Sequence, residues 1–368
     1  MKILFCDNSL RELLNFRKKV MYSYVEAGCN VVLVAPKNND YVADSPLIKV
    51  IPIEMQRSGK NPFQDLQYCI ALRRIYKEER PDYIFHYTIK PNIYGSLAAK
   101  SCGIHSSAMI AGLGYVFNKS GIGNRIARWL YKFALRFTDY VLVLNKYNYD
   151  YLRNYLVPEK KLLLLRGGEG VDLIHFCPRT MAEREHDVKF LMISRVLYDK
   201  GYQEYVDAAK AVHQVYPNVK FQLLGSIDVE YPNHVPEEQV KADSDAGHIC
   251  YLGYHLDVVP YVVESDCIVL PSFHEGLSRV LMEALAMGKP IITTDIPGCR
   301  ETVEENKNGY LVKPKDTKSL EEGMKKFLSL TTEERQNMGR YGRQKAEREF
   351  DICDVVKTYH KITSKVMV

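Results

Sequence analysis

At 368 residues the chain is too long for a single hydrophobic core and is read as two domains. With 46% hydrophobic and 26% charged residues, and no repeats or Gly/Ser tracts, the composition excludes a disordered, collagenous or low-complexity protein. The formal net charge of +5 hides an asymmetry: residues 1–180 hold 26 Lys and Arg against 15 Asp and Glu, and the remainder 24 against 30. The first half is therefore the one expected to meet something anionic, such as a membrane surface, a phosphorylated acceptor or nucleic acid.

In chain order, Met1-Lys2 leads directly into the apolar run Ile3-Leu4-Phe5. No charged leader or cleavage site precedes it, which reads as a cytoplasmic protein. Short apolar runs rich in β-formers follow at Lys2 to Cys6, Asn30 to Ala35, Asp82 to Tyr87, Ser107 to Ala111 and Asp139 to Leu144, separated by helix-length segments. Continuous runs spaced in this way describe a parallel sheet buried on both faces. The pattern restarts after Pro178, with Val188 to Ser194, Val219 to Gly225, His248 to Gly253, Asp266 to Pro271 and Pro290 to Asp295.

The expected fold is thus α/β with two Rossmann-like, doubly wound parallel-sheet domains, 1–180 and 181–349, facing across a cleft. The boundary falls near 175 to 187, and a C-terminal helix over 350–368 rejoins the first domain. The nine cysteines stand singly, without zinc spacing, and read as reduced core residues. No apolar run approaches the roughly 20 residues that span a bilayer.

Ligands of open α/β sheets bind beyond the carboxyl ends of the strands. The segment Leu270 to Ala284 contains such an end: a strand, a turn with Gly276, and a helix whose Leu277, Val280, Leu281, Ala284 and Leu285 share one face. Glu283 lies off that face near the helix start, and Glu275 precedes the helix. The amides of Gly276, Leu277 and Ser278 are expected in the first turn, where a helix N-terminus favours phosphate. Two flanking carboxylates would accept hydrogen bonds from sugar or ribose hydroxyls, the outline of a nucleotide-sugar site. Taken alone, two glutamates eight residues apart describe only a surface pair.

The context changes that reading. Glu275 to Glu283 resembles the Glu-x7-Glu mark of the retaining glycosyltransferases of sequence family 4, which have the two-domain GT-B fold. Ile193 to Gly201 is similar to the family's basic pair after the first strand of the second domain. Gly170-Val171-Asp172, Thr294 to Val303 and Asn308-Gly309 match further blocks. The resemblance implies that Arg195 and Lys200 hold the donor diphosphate, that Glu275 is catalytic, and that Glu283, Gly276, Leu277 and Ser278 bind donor. It also implies a retaining reaction without metal or cofactor, in which the donor's own phosphate takes the acceptor proton. Two cations at that position make chemical sense without the family, because breaking the bond to a diphosphate leaving group builds negative charge that preorganised cations stabilise. An Asp-x-Asp pair, Asp243 and Asp245, is read as a solvated polar loop rather than a metal site.

In the first half the family's usual glycine pair is replaced by Asp7-Asn8-Ser9, before a helix carrying Arg17. His86 follows a strand, one residue out of register with the family's histidine; the alternative is a hydrogen-bonded strand-end residue. The stretch Tyr87 to Gly95 with Ala111 to Phe117 is similar to the branch acting on lipid-diphosphate acceptors in bacterial surface polysaccharide assembly. By that likeness Lys90 faces the acceptor diphosphate and the Gly112 loop approaches it, and Asn92, Gly114, His86 and Arg17 complete the candidate substrate-binding set. From Ile122 to Phe137, Ile122, Ile126, Trp129, Leu130, Phe133, Ala134 and Phe137 form one stripe flanked by Arg125, Arg128, Lys132 and Arg136. That pattern suits either an anionic membrane interface or a core-packed helix with a basic flank. The expected partners are a nucleotide-sugar, with a UDP-hexose or UDP-N-acetylhexosamine preferred, a lipid-linked saccharide and the inner membrane face, with no nucleic acid. A UDP-sugar 2-epimerase of the same fold and a non-enzymatic basic binding module remain as alternatives.

Overall fold

The computed structural model describes residues 1–37, 45–56, 61–112, 122–179, 187–229, 231 and 233–366. The chain divides into two compact units: Met1–Glu169 with Cys353–Val368, and Gly170–Ile352. The first contains β1 (Lys2–Cys6), α1 (Leu10–Phe16), α2 (Lys18–Glu26), β2 (Asn30–Ala35), β3 (Ile48–Pro52), α3 (Pro62–Glu79) and β4 (Tyr83–Tyr87). A widened helical turn, Pro91–Gly95, leads into α4 (Ser96–Cys102), followed by β5 (His105–Ile110), α5 (Ile122–Leu135), β6 (Tyr140–Val143), α6 (Lys146–Tyr155) and β7 (Leu162–Leu164).

The second contains β8 (Lys189–Ile193), α7 (Tyr202–His213), β9 (Lys220–Leu224), α8 (Glu237–Asp245), β10 (Cys250–Tyr251), α9 (Val259–Glu264) and β11 (Cys267–Leu270). It continues with α10 (Arg279–Ala286), β12 (Ile291–Thr294), β13 (Gly309–Val312), α11 (Thr317–Leu328) and α12 (Thr332–Glu349), and α13 (Ile352–Val366) closes the chain.

Both sheets are wholly parallel, ordered β3-β2-β1-β4-β5-β6-β7 and β10-β9-β8-β11-β12-β13. The central strands are apolar along their length because helices cover both faces; β2 and β11, for instance, are buried at nearly every position. In each sheet the chain runs from the centre to one edge and then restarts on the other side of the first strand. This creates a topological switch point between β1 and β4 in the first unit and between β8 and β11 in the second.

Local signals agree with the elements. Asn61 caps α3 by accepting from the Phe63 amide, with Pro62 at the first helical position, and Arg80 ends the helix at φ 46°. Thr331 and Glu334 form a reciprocal capping box on α12.

The units meet in sequence at 169/170, upstream of the stretch 175 to 187, of which 180–186 lies outside the described residues. The reason is backbone pairing: the Val171 amide donates to Phe350 and the Ile352 amide to Val171, at 2.8 and 3.1 Å. These bonds tie Gly170-Val171-Asp172 to the second unit. From Cys353 onward the C-terminal helix packs with the first unit, Tyr359 Oη meeting Tyr87 Oη at 3.1 Å and His360 Nε2 meeting Ser23 Oγ at 2.9 Å. No disulfide links the cysteines among the described residues, but Cys250 and Cys353 are exposed, so the core reading holds for only part of the set.

Candidate functional site

The second unit's switch point is built by the loops after β8 and β11, which glycine allows to touch. Gly201 sits at φ +79°, and a Cβ there would overlap the Pro271 carbonyl. Beyond it the Phe273 amide donates to Asp199 O at 2.9 Å. That seam sets Lys200 against Glu275, Nζ to Oε1 at 2.6 Å, both side chains largely buried. A second seam fixes the other side of the turn. Gly298, at φ +88°, lies against the Glu275 and Gly276 carbonyls, and its own carbonyl accepts from the Ser278 amide at 2.9 Å. Glu275 is therefore held between three strand-end loops.

The remaining second-unit candidates are placed less uniformly. Arg195, about half exposed, donates to Asp228 Oδ2 at 3.2 Å and lies over the Tyr231 ring at 4.9 Å. It projects from the same strand end as Lys200 but is engaged elsewhere. Helix α10 begins at Arg279 with Ser278 as its cap, the Ser278 hydroxyl accepting from the Leu281 amide. Gly276 and Leu277 therefore precede the helix rather than forming its first turn, and the Ser278 amide is already committed to Gly298.

Glu283 does not lie on a polar face near the helix start. It is buried in the second turn, where the Arg279 guanidinium donates to it at 2.7 Å. Burial pushes its carboxyl up, with Arg279 and then His175 pulling it back. Asp243 and Asp245 fall in the last turn of α8 rather than in a loop. Asp243 accepts from Tyr202 Oη at 2.9 Å and pairs with Lys210 at 3.5 Å, which gives it a packing role.

Other family-like blocks serve the backbone. Asn308 is fully buried, donating to Thr302 O at 2.8 Å and accepting from the Glu304 amide at 2.7 Å. A Cβ on Gly309 would overlap the Ile291 carbonyl, so this glycine lets β13 close on β12.

In the first unit several candidates prove to be core residues. His86 is completely buried, its Nε2 meeting Tyr76 Oη at 3.0 Å, and burial pushes its imidazole down to about 3. A neutral ring sealed beneath Gly95 cannot touch substrate. Asn92 is buried and donates to Met109 O and Tyr131 Oη, each at 2.8 Å, bracing β5 and α5. Arg17, between α1 and α2, is buried in an ion pair with Glu169 and lies over the Tyr87 ring at 4.6 Å.

Lys90 does reach a cavity. It pairs with Asp65 at 2.7 Å, Tyr94 Oη also donates to Asp65 at 2.8 Å, and the lysine lines a space of about 1000 Å³ between the end of β3 and α3. Gly112 faces open space, while Gly114 and the rest of the loop to Phe117 lie outside the described residues.

The buried carboxylate Asp7 is a feature for which the sequence offered only the Asp7-Asn8-Ser9 substitution. It sits at the end of β1, 1% exposed, with Oδ1 accepting from the Asn8 amide at 2.6 Å and Oδ2 lacking a partner among the described residues. Thr88, at φ +66°, faces it from the end of β4. Burial pushes the Asp7 carboxyl up to about 7, against the pull of Arg17. The folded state thus binds this proton more tightly than an unfolded chain does, and stability falls as pH rises from about 4 to about 7. Asp7→Asn, which cannot ionise, is expected to gain melting temperature relative to the parent by about 2–5 °C between pH 4.5 and pH 8. A difference that stays constant across that range in calorimetric scans contradicts the assignment.

Helix α5 is split rather than striped. Tyr131, Ala134 and Leu135 pack into the core, whereas Ile126, Trp129 and Phe133 are 54%, 63% and 36% exposed, beside exposed Arg125, Lys132 and Arg136. Trp129 and Phe133 stack at 5.6 Å. No helix among the described residues is long and apolar enough to cross a membrane.

Comparison with known proteins adds the following. Residues 178–345 match the family model described as glycosyl transferases group 1, and residues 3–145 match that of glycosyl transferase 4-like proteins. The chain is 28% identical to the N,N'-diacetylbacillosaminyl-diphospho-undecaprenol alpha-1,3-N-acetylgalactosaminyltransferase of Campylobacter jejuni, covering 100% of this chain and 99% of that protein. It is 24% identical to the UDP-Gal:alpha-D-GlcNAc-diphosphoundecaprenol alpha-1,3-galactosyltransferase of Escherichia coli, over 76% of this chain and 74% of that protein. Among solved structures, sucrose-phosphate synthase from Thermosynechococcus elongatus matches with a TM-score of 0.83 at 17% identity, covering 100% of this chain and 99% of that one. Anabaena HepE in complex with UDP-glucose matches with a TM-score of 0.77 at 17% identity, covering 99% and 100%. These structural likenesses establish the GT-B fold.

Proposed function

The chain belongs to the group 1 glycosyl transferases, with a family 4-like N-terminal half, and on that premise we propose that it moves a hexose or N-acetylhexosamine from a UDP-sugar to a lipid-diphosphate-linked saccharide in bacterial surface polysaccharide synthesis. The observation that carries this reading is the Lys200–Glu275 pair at the second unit's switch point, where an open α/β sheet takes its ligand. The reaction is retaining. The bond from the anomeric carbon to the diphosphate breaks, the acceptor oxygen bonds to the same face, and its proton passes to the departing diphosphate.

Lys200 and Arg195 supply positive charge where the leaving group develops negative charge, which supports a reaction without metal; the nucleotide-sugar is a substrate and no cofactor is involved. Glu275 and the buried Glu283 accept hydrogen bonds from sugar and ribose hydroxyls, the Arg279 pair orienting Glu283. The 28% identical Campylobacter protein and the 24% identical Escherichia coli protein are both named for diphospho-undecaprenol substrates, which supports a lipid-linked acceptor. Its diphosphate is assigned to Lys90, where the adjoining cavity has room for a saccharide. The exposed basic and aromatic face of α5 rests on the inner face of the cytoplasmic membrane, with Trp129 at headgroup depth.

The test is nucleotide release from a panel of UDP- and GDP-sugars with a short-chain lipid-diphosphate saccharide, in EDTA and in magnesium. Acceptor-stimulated release from one UDP-sugar at equal rates in both buffers is expected. Release that requires magnesium contradicts the metal-free mechanism, and release from no donor contradicts the proposal.

A further inference from the structure

Helix α3 carries a second outward apolar face. Phe63, Leu66 and Ile70, at i, i+3 and i+7, are 79%, 57% and 59% exposed, while Tyr68, Leu72 and Tyr76 hold the opposite side in the core. The outward stripe continues into exposed Arg73, Arg74 and Lys77. Three outward positions left apolar in water, followed by a turn carrying Arg73, Arg74 and Lys77, of which Arg74 pairs with Glu78 at 2.8 Å, are unusual for a solvent-facing helix. This surface has no role in the sequence readings of the chain.

The two apolar-basic helices share one layer of the first unit. Both α3 and α5 pack against the Pro91–Cys102 segment, and right-handed crossovers along the strand order put all of them on one face of the sheet. The size of the patch argues against a protein partner. Three side chains present a few hundred Å² at most, against roughly 800 Å² per partner in a stable protein interface. The chemistry instead suits an anionic bilayer, with aliphatic and phenyl groups entering the acyl boundary and guanidinium and ammonium groups reaching phosphate.

We propose that the Phe63-Leu66-Ile70 face of α3 inserts into an anionic membrane alongside α5, so that the α3–α4–α5 layer of the first unit lies on the bilayer through two separated anchors. The proposal deepens the membrane reading of α5 and rests on it. It also places the Lys90 cavity, which α3 lines through Gln64, Asp65 and Gln67, at the level of lipid headgroups. A lipid diphosphate then reaches Lys90 without leaving the membrane.

The chain contains a single tryptophan, which allows each anchor to be read separately. The unaltered protein reports α5 through Trp129, and a Trp129→Phe, Phe63→Trp double variant reports α3. Vesicles of phosphatidylcholine with 30% phosphatidylglycerol, with and without brominated acyl chains, are the probe. Both reporters are expected to shift to the blue and be quenched. The triple variant Phe63→Ser, Leu66→Ser, Ile70→Ser is expected to bind these vesicles about tenfold more weakly or less, while transfer to a water-soluble short-chain acceptor is unchanged. An unquenched reporter on α3 with a quenched Trp129 overturns the α3 anchor and leaves α5 standing, whereas silence of both removes the membrane reading altogether. If the triple variant keeps full vesicle affinity but runs as a smaller species in size-exclusion chromatography, the face joins two copies and the proposal fails.

Discussion

Replacing Lys200 with alanine is expected to lower kcat by about 10²–10³-fold with the fold and the donor KM little changed, because a preorganised cation acts chiefly on charge that develops in the transition state. The geometry explains why the effect should be large. Lys200 is fixed by the Gly201–Pro271 seam and by Glu275, so its ammonium does not reorganise when the leaving group departs. Lys200→Arg should recover only part of the rate, since a planar fork does not replace a point charge in a tight seam. Glu275→Gln distinguishes the partners' roles: it removes the charge that pairs with the lysine and replaces one carboxylate acceptor oxygen by an amide donor, so it is expected to raise the donor KM. Near-parental turnover of Lys200→Ala in a steady-state release assay refutes the assignment of this residue.

Arg17→Ala is expected to cost about 3–5 kcal/mol of stability, because it leaves Glu169 and Asp7 as buried carboxylates without their cation. In a unit of this size that corresponds to a drop in melting temperature of about 10 °C. The sequence reading placed Arg17 among the substrate-binding residues, and the two roles predict different results. A substrate contact would leave thermal unfolding unchanged and raise the acceptor KM, whereas a core ion pair lowers Tm and leaves the KM of the surviving folded protein near its parental value. Differential scanning calorimetry with acceptor kinetics at low temperature separates them. An unchanged Tm contradicts the structural role.

What was legible in the sequence follows from where each residue sits. The central strands of both sheets are buried on both faces and appear as unbroken apolar runs, so β1, β2, β4, β8 and β11 are readable directly. The edge strands are not. In β3, Lys49 is exposed and only Ile48 is buried, so no run forms, and β7 is a run of leucines too short to mark a strand by itself. At the other extreme, the run His248 to Gly253 yields only the two-residue β10, with Gly253 turning at φ +75°.

Site residues follow the same logic. Lys200 and Glu275 stand next to glycines that a reader can see, and they meet. Glu283, Asn92 and His86 are polar residues beside apolar ones and Arg17 heads the basic stretch Arg17-Lys18-Lys19, settings shared by buried structural polar groups and ligand-binding ones. Only the partners decide: Arg279, Tyr131, Tyr76 and Glu169 are each remote in sequence or unmarked by motif. Asp7 shows the converse case, since a substitution visible at the end of β1 gave no sign that its second oxygen would be buried without a partner among the described residues.

Family membership decides among the classes of function that composition left open. Both units match glycosyl transferase models, which sets aside the basic binding module and the 2-epimerase that the sequence alone could not separate. The second half holds 24 Lys and Arg spread over the unit, of which Arg195 and Lys200 follow β8, and the basic excess of the first half lies partly on the outward faces of α3 and α5.

The most direct test of the central claim follows the sugar itself. A UDP-sugar labelled in its hexose is incubated with the protein and a lipid-diphosphate saccharide in EDTA, and the label is measured in the organic extract. Label that enters the lipid fraction, joined through the same anomeric configuration it had in the donor, is the predicted result. Label that stays in the aqueous phase as free sugar or as an epimerised nucleotide-sugar contradicts the transferase account.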